Sequence, residues 1–133
     1  MNKYAVSILA LCAVLALPVS AHEGHDHAPG VANHGGVVKD GKTISVEFVA
    51  RGLTLEVHPR TADGKEIPVK DVKIKATVQA PKKRPIALDL KPVDEWHYKG
   101  EITGEKSYRF EVKLTASYKG QDNHFVFQVE PGE

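Results

Sequence analysis

The chain has 133 residues, 18 Lys and Arg against 17 Asp and Glu, a formal net charge of +1 with histidine neutral, and 41% apolar residues. That is enough for one small domain, and the near-zero charge supplies no cationic field for nucleic acid or an acidic membrane surface. So short a chain leaves little room for both a full core and a deep substrate cleft, so a binding module rather than an enzyme is expected.

The first segment reads as a secretory signal peptide. Lys3 gives a positive start, Ala5 to Leu17 an apolar run, and Pro18-Val19-Ser20-Ala21 a small-residue exit. The run falls short of the roughly 20 residues needed to span a bilayer, so cleavage after Ala21 is expected rather than anchoring. The product is a periplasmic or secreted protein, not an integral membrane protein. Cys12 and Met1 are the chain's only sulfur-bearing residues, and both lie in this leader. The mature chain therefore offers a metal only nitrogen and oxygen donors, which favours Cu(II), Zn(II) or Ni(II) over Cu(I).

Residues 22–36, HEGHDHAPGVANHGG, form the second segment, with too few apolar residues to fold alone. They read as a disordered His-rich tail. His22, His25, His27 and His34 are interleaved with Glu23 and Asp26, and imidazole with carboxylate is a ligand set for divalent transition metals. In an extended tail His25 and His27 project to one side, and Gly24 lets His22 fold back toward them. Cleavage after Ala21 also gives His22 a free α-amine beside its ring, a brace-like chelate for Cu(II). The glycine pair of His34-Gly35-Gly36 places His34 where the tail joins the folded domain.

Residues 37–133 form the third segment, dominated by period-two patterns. Ile44, Val46 and Phe48 alternate with polar residues, then Leu53, Leu55 and Val57, with a hairpin connection at Ala50-Arg51-Gly52 and a turn at Asp63-Gly64. Val72, Ile74, Ala76 and Val78 make a third long strand, and Pro81 to Pro85 a loop. Further strands are expected around Ile86 to Leu90, at Trp96 and Tyr98, from Tyr108 to Leu114 and from Phe125 to Val129. About seven strands without a helical stripe indicate an all-β, antiparallel immunoglobulin-like β-sandwich. Trp96 is the expected core anchor. His58, His97 and His124 fall out of phase with the apolar residues and read as exposed strand positions, although two of them meeting at one end remains open.

His34-Gly35-Gly36-Val37-Val38, the strands Val46–Val49 and Leu53–Val57, the Asp63-Gly64-Lys65 turn and Pro68 together resemble small exported bacterial proteins of heavy-metal resistance systems. The same pattern resembles the N-terminal region of the periplasmic adaptor subunits of heavy-metal efflux pumps. The resemblance covers Asn33 to Val78 and implies metal binding and an efflux-pump subunit as partner. Those proteins often carry a second His just before the acid corresponding to Glu47, where this chain has Ser45 and Val46. No heptad segment for an adaptor's coiled-coil hairpin is present. An N-terminal histidine on a small all-β domain is also similar in architecture to periplasmic copper-resistance sandwiches.

The leading expectation is thus a periplasmic protein that buffers or delivers Cu(II) or Zn(II) through His22, Glu23, His25, Asp26, His27 and His34. A non-metal interaction module docking on an envelope or pump component is the alternative. A copper oxidase using His22 ranks last, because no second catalytic constellation accompanies it.

Overall fold

The computed structural model describes residues 30–104 and 106–132. Nine strands form: β1 (Val37–Asp40), β2 (Ile44–Arg51), β3 (Thr54–Thr61), β4 (Val72–Gln79), β5 (Ile86–Leu88), β6 (Lys91–Pro92), β7 (Tyr98–Glu101), β8 (Phe110–Tyr118) and β9 (Gln121–Val129). A short 3-10 turn, Val69–Asp71, leads into β4. The expected strands are all present. The two additional ones, β1 and β6, are too short to show an alternating pattern of their own.

All pairings are antiparallel, in two sheets ordered β1-β2-β3-β7-β6 and β5-β4-β8-β9. The chain is therefore an all-β sandwich. Val46, Phe48, Leu55 and Val57 face Val72, Val78, Phe110, Val112, Leu114, Phe125 and Phe127 across the interior, all buried. Phe48 and Phe127 stack across the sheets with centroids 4.3 Å apart.

The β2–β3 connection is a two-residue turn, with Arg51 opposite Thr54 and Gly52 at φ 62°. Glycine adopts this left-handed conformation without a Cβ clash. The turn sets the register that matters for the site. Glu47 lies directly opposite His58, with Ser45 opposite Arg60 and Val49 opposite Glu56.

Trp96 does not anchor the core. It is 37% exposed, because it lies in the turn between β6 and β7 rather than on a strand. Tyr98 takes the inward position instead, its hydroxyl sharing its one proton between the carbonyls of Val69 (2.9 Å) and Val72 (2.5 Å). A buried Tyr needs such a partner for its polar end.

Among the described residues, no helix is long and apolar enough to cross a membrane. His22, Glu23, His25, Asp26 and His27, like the expected signal peptide, lie outside the described residues.

Candidate metal centre

The face of β2 and β3 turned away from the core carries Ser45, Glu47, His58 and Arg60. Alternation predicts a wet face, yet these residues are 4%, 0%, 3% and 5% exposed. Residues 31–36 cover it as a strap, and the backbone after β3 folds back alongside. The strap lies close: a methyl group at Gly36 would run into the Phe48 carbonyl and come within 2.8 Å of the Val49 side chain. Only glycine permits that approach.

Glu47 fastens the strap. Its carboxylate accepts backbone N–H bonds from Asn33 (2.9 Å), His34 (2.7 Å) and Gly36 (3.1 Å). Arg60 places Nη1 3.7 Å from Glu47 Oε2 and donates to the Val31 carbonyl at 2.8 Å. Burial alone would raise the carboxyl's pKa, but the three backbone donors, joined by the His34 ring, hold it below the ordinary value. An ionised, fully paired carboxylate at this depth fixes where His34 enters the site.

The Asp63-Gly64 turn brings in the other side. Gly64 at φ 89° and the Gly64 N–H bond to the Thr61 carbonyl reverse the chain, so that Glu66 bridges back to Arg60. Glu66 Oε1 then lies 3.1 Å from His34 Nε2. His34 stacks on His58 with centroids 3.9 Å apart, and His58 stacks on His97 at 4.7 Å. Three imidazoles from distant parts of the chain form one column.

Donor atoms of His34, His58 and Glu66 all lie within 4.8 Å of one another. His58 Nδ1 is buried without a hydrogen-bond partner, the one such side-chain atom among the described residues. An unpaired buried polar atom costs on the order of 1–3 kcal/mol, which a metal bond would recover. Burial, then the neighbouring His34 ring, push the His58 pKa below its ordinary value, against a smaller upward pull from Glu56, whose Oε2 is 3.4 Å from Nε2. The neutral imidazole, the form that coordinates metal, is thereby favoured.

The structure thus brings His34 together with two residues that pattern reading did not select, His58 and Glu66. His58 and His97 were expected on exposed faces. His58 is instead buried, because the strap covers its side of the sheet, and His97 is partly buried against it. His124 does remain on the surface, with Nδ1 3.2 Å from the Thr115 hydroxyl.

No family model, curated protein or solved structure matches the chain. The functional reading therefore rests on the centre's own chemistry. Two imidazoles and a carboxylate, with no sulfur among the described residues, form a borderline-hard donor set suited to Zn(II) or Cu(II).

Proposed function

We propose that this protein binds a divalent transition metal, Cu(II) or Zn(II), in the periplasm and buffers or delivers it in association with heavy-metal efflux or resistance. One observation carries the metal reading. Donor atoms of His34, His58 and Glu66 lie within 4.8 Å of one another, and the buried Nδ1 of His58 has no hydrogen-bond partner. The exit sequence Val19-Ser20-Ala21 supports export, and the resemblance over Asn33 to Val78 supports the efflux context. His22, Glu23, His25, Asp26 and His27 are proposed as a second donor set, a short distance upstream in sequence of His34. A captured ion would then pass to a centre that the fold holds in place.

Calorimetric titration of the mature chain with Zn(II) and Cu(II) tests this. A His22→Gln/His25→Gln/His27→Gln variant should keep one equivalent of tightly bound metal. Adding His58→Asn should weaken that equivalent by about 100-fold, the scale of losing a metal ligand or its support. Circular dichroism checks that each variant folds. Loss of all binding on tail substitution alone would assign the metal to the tail. Absence of binding to any form would leave the sandwich as an interaction module for an envelope or pump component.

A further inference from the structure

Two imidazoles and one carboxylate leave a Zn(II) or Cu(II) ion with an open position, the arrangement of sites that activate water. The imidazole column holds a group suited to filling it. We propose that His97 is a further ligand of this centre, so that a bound ion is closed off by three imidazoles and Glu66 and is held rather than used in hydrolysis. This inference rests on the metal reading above and extends its ligand set.

The turn before β7 prepares His97 for the role. Asp94 Oδ1 accepts the backbone N–H groups of Trp96 (2.7 Å) and His97 (2.9 Å), while Oδ2 lies 2.8 Å from His97 Nδ1. The Asp94 carboxylate accepts a hydrogen bond from Nδ1–H and leaves the Nε2 lone pair free. A carboxylate behind one ring nitrogen, with the other nitrogen open, is the support that metal-bound histidines use.

Position agrees with chemistry. The His97 ring lies against the face of His58, 18° from parallel, and its side chain is only 20% exposed. The donor atoms that already converge within 4.8 Å are those of His34, His58 and Glu66, so coordination by His97 requires its ring to turn out of the column. The same movement gives the metal-bound state a signature that the metal-free protein lacks.

The test uses the mature chain with His22, His25 and His27 replaced by Gln, loaded with one equivalent of Cu(II). Electron spin-echo envelope modulation counts coordinated imidazoles through their remote nitrogens, and competition with a chelator gives the Zn(II) affinity. Three imidazoles are expected, falling to two in His97→Phe, which keeps a stacking ring without a donor, and in His97→Gln. Zn(II) affinity should fall by about 10–100-fold in both. Asp94→Asn should keep three imidazoles and weaken binding less. Two imidazoles before and after substitution, with unchanged affinity, would overturn the assignment of His97 and leave the His34, His58 and Glu66 centre standing. No imidazole coordination in the unsubstituted centre would overturn the metal reading itself.

Discussion

At the end of the β2–β3 hairpin that carries Glu47 and His58 the two faces are equally dry and are built in opposite ways. On the inner face Val46, Phe48, Leu55 and Val57 are 0–3% exposed and held by apolar area and close packing. On the outer face Ser45, Glu47, His58 and Arg60 are at most 5% exposed. They are held by an ion pair, three backbone N–H bonds to one carboxylate and a column of rings. The inner face tolerates exchanges among apolar residues that keep volume. The outer face tolerates changes of volume only if every polar atom keeps a partner. In a face so fully paired, the single unpaired atom, His58 Nδ1, stands out as the place where something else binds.

The largest expected effect lies on the inner side. Phe110→Ala, at a position 1% exposed, should cost about 3–5 kcal/mol by urea unfolding, from lost burial plus the cavity left behind. Metal affinity per folded molecule should stay unchanged, since Phe110 belongs to the opposite sheet. A parallel loss of affinity would show that the faces are not independent.

On the outer side, Glu47→Gln keeps the shape but replaces one acceptor oxygen with a donor. It should cost about 1–3 kcal/mol, because strap N–H groups and Arg60 lose their partner. Unlike Phe110→Ala it should also weaken Zn(II) binding, since the strap positions His34. Amide exchange at Asn33, His34 and Gly36 should quicken in this variant. Unaltered protection there would show that Glu47 does not fasten the strap.

Acid separates the faces in another way. The folded pKa of His58 is lowered, so the unfolded chain takes up the proton first. Its contribution is complete above the unfolded value of about 6.5 and is lost as pH falls through the lowered folded value. Glu47, also lowered, adds a second loss below its ordinary 4.5. Urea titrations of the metal-free protein should show stability declining from about pH 6.5, and His58→Phe should flatten that first decline. An equal decline in both proteins would assign it to another group.

The smallest effect is expected at His124, on the outer face of the other sheet. His124→Ala should change stability by no more than about 0.5 kcal/mol and leave metal binding intact. A drop in affinity would mean that a surface histidine contributes to the bound metal.

The sandwich was legible in the sequence because its inner positions alternate without interruption, as at Val72, Ile74, Ala76 and Val78 or Phe125, Phe127 and Val129. The turns at Gly52 and Asp63-Gly64 were legible for the same local reason, that glycine marks positive φ. The centre was only partly legible. His34 could be selected from the glycine pair beside it, but His58 read as solvent-facing, because periodicity reports which residues share a face and not whether a distant segment covers it. One signal was available. A two-residue turn at Gly52 fixes Glu47 opposite His58, and a carboxylate facing an imidazole across a hairpin marks a polar face with a function. Glu66 and His97 depend on long-range packing that no local pattern encodes, and the exposure of Trp96 follows from the turn at Asp94, which draws the chain out of the sheet.

The central claim is that the fold, rather than the upstream histidines alone, holds the metal. Its most direct test is a crystal of the His22→Gln/His25→Gln/His27→Gln chain grown with one equivalent of Zn(II), with anomalous diffraction recorded at the zinc edge. A single strong peak within bonding distance of His34, His58 and Glu66 is the predicted result. A peak only at a surface group such as His124, with none between these three residues, would contradict it.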